Sequence, residues 1–116
     1  MSMKTIVYGI PNCDSVKKAR AMLDERGIAY EFHDYKKLGV PEAELRRWVK
    51  AKGRDVVLNR KGTTWRGLDE STKAGVVDAD AAVRVMLESP STIKRPIVTR
   101  AQQIAVGVDE VAALFT

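Results

Sequence analysis

A chain of 116 residues, 45% hydrophobic and 30% charged, has the size and composition of one globular domain spanning 1–116, with a real core and no room for two. Its 20 Lys and Arg against 15 Asp and Glu give a net charge of +5, yet the basic residues are scattered among acidic ones and no nucleic-acid motif is present, so no nucleic-acid partner is expected. One cysteine excludes an internal disulfide, and the apolar run Ile6 to Tyr8 within Met1 to Gly9 is too short for a signal peptide or a membrane span, so a cytoplasmic protein off the membrane is expected.

Thr5 to Tyr8 is β-branched and aromatic, ends at Gly9, and predicts a buried strand. After Ile10-Pro11-Asn12 a helical stripe of Val16, Ala19 and Leu23 runs from about Asp14 to Arg26, with Gly27 as its stop. Ile28 to His33 alternates as a second strand, with Ile28, Tyr30 and Phe32 on one face. Strand, helix and strand in so few residues make a βαβ unit with parallel strands. Gly39 to Glu42 opens a second helix, Pro41 in its first turn and Leu45, Trp48 and Val49 inward. Residues 53 to 78, rich in Gly, Asp, Thr and Ser, predict loops and short helical turns. From Asp78 the spacing of Ala79, Ala82, Val83, Met86 and Leu87 predicts an amphipathic helix ending near Pro90. Pro96 to Val98 and Gln103 to Val106 predict a hairpin, and Asp109 is expected to cap a last helix through Val111, Leu114 and Phe115. The order βαβα, helical insert, ββα is that of an α/β, thioredoxin-like (glutaredoxin-like) mixed sheet with a helical insertion.

Cys13 falls just after the first strand, beside the first turn of the following helix. Amide N–H groups there lack intrahelical partners and favour negative charge, which for a cysteine is the nucleophilic thiolate. Lys17 and Lys18, one turn on, add positive potential. A lone cysteine is more often a small buried hydrophobe, but Pro11-Asn12-Cys13-Asp14-Ser15 is polar and turn-like, a poor place to bury one. Val16 at the third position after Cys13 removes a C-x-x-C dithiol, so any disulfide at Cys13 is with another molecule and needs an external thiol such as glutathione to resolve it.

Ile93-Lys94-Arg95-Pro96-Ile97 sets a basic residue before a proline that opens a strand. The Arg95–Pro96 bond is a candidate cis peptide, and an arginine there can fork onto an oxyanion or carboxylate. A solvated arginine in a surface turn fits the same spacing. Leu58 to Arg66 is a second basic loop whose amides and Arg60 are able to hold an anion; a solvated loop anchored by Trp65 fits equally. His33 is the only histidine, no Cys or His stands near it, and no metal site is expected. Asp34 and Tyr35 beside it suggest no catalytic dyad.

The segment Tyr8-Gly9-Ile10-Pro11-Asn12-Cys13-Asp14-Ser15-Val16-Lys17-Lys18-Ala19-Arg20 resembles the active-site segment of the arsenate reductase-like (ArsC/Spx) family, closest to its YffB-type branch of glutathione-dependent thiol reductases. Phe32 to Lys36, Leu58-Asn59-Arg60, Gly62 to Arg66 and Ile93 to Val98 fit the same family in the same order. The resemblance implies a thioredoxin-like fold with a helical insertion, a nucleophilic Cys13, anion-stabilising Arg60 and Arg95, and Pro96 as the proline commonly cis in such folds. Asn12, Asp14, Lys94 and Pro96 are the expected substrate-binding neighbours. The implied enzyme is an oxidoreductase acting as a monomer on a small oxyanion or thiol substrate, with glutathione as co-substrate, glutaredoxin as a further partner and no metal. The resemblance departs at two places. Gly107 falls where arsenate reductases of this kind have a third arginine, and Asp14-Ser15-Val16 replaces their small polar oxyanion turn. Arsenate reduction coupled to glutathione and glutaredoxin is one alternative function. A Spx-like non-enzymatic regulator binding RNA polymerase is another, ranked lower because most Spx-type proteins carry the C-x-x-C pair.

Overall fold

The computed structural model describes residues 4–115; Met1 to Met3, over which the amino-terminal reading extends, lie outside them. In chain order the elements are β1 (Thr5–Gly9), α1 (Asp14–Glu25), β2 (Glu31–Asp34), α2 (Tyr35–Leu38), α3 (Glu42–Lys52), α4 (Arg54–Val57), α5 (Thr63–Arg66), α6 (Glu70–Ala74), α7 (Ala79–Glu88), β3 (Ile97–Arg100), β4 (Gln103–Val106) and α8 (Val108–Leu114). They form two compact units, Met1–Gly39 with Arg95–Thr116, and Val40–Lys94. Among the described residues no helix is long and apolar enough to cross a membrane.

The first unit carries the sheet, in the order β2-β1-β3-β4. β1 runs parallel to β2, as the βαβ pattern requires, and antiparallel to β3, which pairs antiparallel with β4. The register lines up Val7, Val98 and Ala105 across the sheet. These pack with Ala19 and Leu23 of α1 and Val111 of α8 into one buried cluster. Side chains alternate across a strand, so Tyr8, paired with His33 on one side and Ile97 on the other, belongs to the opposite face.

Several boundaries differ from the sequence reading, the third strand among them, which spans Ile97–Arg100 instead of Pro96 to Val98. The second strand starts at Glu31 instead of Ile28. Ile28 is used to end α1: its N–H bonds the Leu23 carbonyl at 2.9 Å and that of Gly27 bonds Asp24 at 3.1 Å. Gly27 stands at φ +69, the left-handed closure that glycine allows. Ile28 and Tyr30 still pack against the core cluster from outside the strand. Pro41 is the N-cap of α3 and stands one residue before its first turn, its carbonyl accepting from Leu45 N at 2.9 Å. The last helix is capped by Gly107, not by Asp109, which lies in the first turn. Glu110 supplies the side-chain contact there, accepting from Val106 N at 2.9 Å.

The second unit is helical. Residues 53 to 78 contribute α4, α5 and α6, the short helical pieces expected there. Asp78 caps α7 by accepting from Ala81 N at 2.8 Å, and Ala82, Val83, Val85 and Met86 are buried. Trp48 of α3 is fully buried, and Trp65 of α5 is almost so.

The junction between β1 and α1 is tight. A methyl group built on Gly9 meets Val16 Cγ2 at 2.7 Å, inside any contact real side chains tolerate. Val16 is fully buried and, being β-branched, has little rotamer freedom in a helix with which to retreat. Gly9→Ala is therefore expected to lower stability by about 1–3 kcal/mol in denaturant titration. Adding Val16→Ala should make the double variant more stable than the sum of the two single losses; strict additivity would show that the close approach is not the cause.

Candidate active site

Cys13 is the N-cap of α1, with extended backbone at φ −144 and ψ 124. Its carbonyl accepts the first helical hydrogen bond, from Lys17 N at 2.9 Å. Its side chain makes no capping hydrogen bond, and the thiol is free and half-buried. A thiol at an N-cap lies beside the unpaired amides of the first turn, where a negative charge is favoured. Asn12 and Asp14, its neighbours, are exposed, as are Lys17 and Lys18. Arg20, one turn further, is engaged elsewhere: its Nε donates to the Tyr30 hydroxyl at 3.0 Å and its guanidinium lies 4.1 Å from the Phe32 ring centroid.

Sheet topology gathers four chain junctions at one end of the sheet. β1 and β2 are parallel, so the loop from Gly9 to Cys13 and the turn from Asp34 into Tyr35 leave side by side, Gly9 being paired with Asp34. β3 is antiparallel to β1, so its entry at Arg95 and Pro96 is at that same end, beside Tyr8. β4 runs out there too, into Gly107, whose N–H bonds the Pro96 carbonyl at 2.8 Å. The Arg95–Pro96 peptide is cis. Pro96 is buried and Arg95 half-buried, and among the described residues no carboxylate pairs with Arg95.

The other two candidates belong to the second unit. Arg60 is exposed and bound to Asp55, Nη to Oδ1 at 3.1 Å, with its guanidinium 5.5 Å from the Trp65 ring centroid. Its loop is fixed locally: Asn59 Oδ1 accepts from Lys61 N at 3.1 Å and Asn59 N donates to Thr92 O at 2.8 Å. Lys94, also exposed, donates its N–H to Val57 O at 2.8 Å. Arg60 thus comes with an occupied guanidinium, whereas Arg95 does not.

Sequence reasoning passed over an aromatic cluster at the same sheet end as Cys13. His33 lies tilted against Tyr8 with ring centroids 5.1 Å apart and edge-on to Tyr35 at 6.0 Å, and its Nε2 donates to Gly39 O at 2.9 Å. Buried Asp34 caps α2, accepting from Lys36 N at 2.8 Å, and so sets Tyr35. Tyr35 is 6% exposed and its hydroxyl has no hydrogen-bond partner. Burial pushes that hydroxyl well above the ordinary tyrosine range, Tyr8 adds to the shift, and Arg95 opposes it. The only signal in the sequence was the segment Phe32 to Lys36, since nothing in its spacing marks the four-residue helix that turns Tyr35 inward. Among the described residues no three His, Cys, Asp or Glu side chains cluster as metal ligands.

Comparison with known proteins agrees with this layout. The model of the ArsC family matches residues 8–114. A YffB protein of known structure is 46% identical, superposes with a TM-score of 0.91 and covers 97% of this chain and 100% of its own. The solution structure of an arsenate reductase (ArsC) related protein from Brucella melitensis is also 46% identical, with a TM-score of 0.73 and coverage of 92% of this chain and 88% of its own. An uncharacterized protein of Haemophilus influenzae is 40% identical over 104 residues, 90% of either chain. With its thioredoxin-like sheet and a cysteine at the head of the first helix, the chain belongs to the ArsC family.

Proposed function

We propose that this chain is a glutathione-dependent thiol reductase in which Cys13 is the nucleophile and Arg95 and Arg60 receive the anionic part of the thiol partner. The observation that carries this is the half-buried, uncapped thiol at the head of α1, at the sheet end where Arg95 enters β3 with no carboxylate partner among the described residues. Membership of an arsenate reductase-like family supports reductase chemistry.

In the first step the Cys13 thiolate attacks one sulfur of a glutathione mixed disulfide. A bond from Cys13 Sγ to the glutathione sulfur forms, the original S–S bond breaks, and the released substrate sulfur leaves as a thiolate that takes up a proton. In the second step the thiolate of a free glutathione attacks the glutathione sulfur of the adduct. Glutathione disulfide departs with both oxidised sulfurs, and Cys13 is returned as the thiolate. One mixed disulfide and one free glutathione thiol are consumed, and one substrate thiol and one glutathione disulfide are formed. Helix amides stabilise the sulfur anion at the start and end of each cycle. Asn12, Asp14, Lys94 and Pro96 are the neighbours proposed to contact the substrate.

Arsenate reduction is the second function to weigh, favoured by the Brucella relative's likeness to arsenate reductases. Two features weigh against it here. Asp14, an exposed carboxylate, directly follows Cys13 and repels an incoming oxyanion. Gly107, at φ +88, turns the chain from β4 into α8 where those reductases carry an arginine. Turnover of arsenate with glutathione and glutaredoxin, lost in Cys13→Ser, would establish that activity.

Incubation with glutathione disulfide, followed by mass spectrometry, is expected to give a single glutathione adduct at residue 13 and none in Cys13→Ser. Absence of an adduct in the native chain overturns the proposal. Arg95→Ala should slow release of that adduct by free glutathione about ten-fold, the equivalent of one charge-assisted contact, and an unchanged rate removes Arg95 from the site. Asp55→Asn frees Arg60 from an exposed ion pair whose worth is about 0.2–1 kcal/mol. It should therefore speed the same step by at most about five-fold; no acceleration would take Arg60 out of the binding role.

A further inference from the structure

The Tyr35 hydroxyl is a donor with nowhere to donate. It is buried, it has no hydrogen-bond partner among the described residues, and the backbone cap at Asp34 and the edge contact with His33 hold its ring in place. Leaving a buried hydroxyl unpaired is costly, so each such group calls for a role that offsets the cost. Nearby, Arg95 lacks a carboxylate among the described residues, so no ion pair fixes its half-buried side chain. Both residues stand at the same end of the sheet as Cys13, Tyr35 directly after β2 and Arg95 directly before β3.

We infer that Tyr35 and Arg95 form a carboxylate-binding pair, the guanidinium taking one oxygen of the ligand and the Tyr35 hydroxyl donating to the other. A planar carboxylate presents two oxygens, one for a cation and one for a single fixed donor. Charge supports the pairing in both directions. Burial and Tyr8 keep Tyr35 protonated, and hence a donor, throughout the neutral range, while Arg95 is close enough to act on it electrostatically. In the unliganded chain the two have no shared acceptor. This rests on the proposed thiol reductase function and makes it more specific, since Tyr35 becomes the residue that selects carboxylate-bearing thiols over neutral ones.

The test is the rate at which the Cys13 adduct is released by glutathione, divided by the rate with 2-mercaptoethanol, which has no carboxylate. Both rates come from one sample, so the ratio does not depend on the folded fraction. Tyr35→Phe is expected to lower the ratio about ten-fold through a higher KM for glutathione, with kcat and the 2-mercaptoethanol rate unchanged. Its melting temperature should equal or exceed that of the native chain, because an unpaired buried hydroxyl has been removed. In the Arg95→Ala background the same substitution should have no further effect. An unaltered ratio in Tyr35→Phe, or an undiminished effect without Arg95, overturns the carboxylate pair alone. A native chain that does not prefer glutathione to 2-mercaptoethanol overturns the underlying thiol reductase proposal as well. Glutathione esterified at its glycine carboxylate identifies the group bound: the Tyr35→Phe penalty disappears with the ester if that carboxylate is the ligand, and persists if it is the γ-glutamyl one.

Discussion

Between the last residue of β1 and the first turn of α1 there is no space for a methyl group, and the site is built on that contact. Gly9 lets the fully buried Val16 close onto the strand end. Only four residues then remain to carry the chain from Gly9 to the head of the helix, and Cys13 is the last of them. Ala19 and Leu23, further along α1, are held in the cluster with Val7 and Val98. The helix is thereby clamped at its start by the close approach and along its length by apolar burial. A thiol at an N-cap held this way cannot drift from the amides that favour its anion.

What surrounds Cys13 follows from strand direction. Parallel pairing of β1 with β2 and antiparallel pairing with β3 bring one outgoing loop, one outgoing turn and one incoming strand to the same end. A free cysteine, a buried tyrosine and an arginine from three distant parts of the sequence share that end without any contact being needed to draw them there. Basic charge is plentiful in this chain, but most of the cations that pair do so with exposed carboxylates, as Arg46 does with Glu42 and Asp80 and Arg60 with Asp55. Such pairs are weak and exchangeable. Arg95, outside that surface lattice among the described residues, is a cation available to an incoming anion.

Much of this was legible in the amino acids because it rests on local rules. The TIVY strand, the stripe of Val16, Ala19 and Leu23, the α7 spacing and the parallel first pair follow from periodicity and chain length alone. The polar turn around Cys13 distinguished it from a core cysteine, and the structure leaves the thiol half-buried beside exposed neighbours. Sequence reasoning failed where one residue serves two elements. Ile28 alternates like a strand residue yet closes α1 through Leu23. Gly107 caps α8 by a left-handed backbone, a role for which Asp109 offered the more familiar side chain. Tyr35 was unreadable because its value lies in an unpaired hydroxyl, which only three-dimensional packing reveals.

The central claim is that Cys13 is a nucleophile in a site prepared for anions, and one pair of reagents asks this directly. Iodoacetate and iodoacetamide alkylate a thiolate by the same displacement and differ in charge. At about pH 6.5, where few ordinary thiols are ionised, Cys13 should react with both faster than glutathione does. The ratio of iodoacetate to iodoacetamide rates should also fall in Arg95→Ala, because the proposed anion partner of the site has been removed. A thiol no faster than glutathione, with a ratio that Arg95→Ala leaves unchanged, would contradict the account.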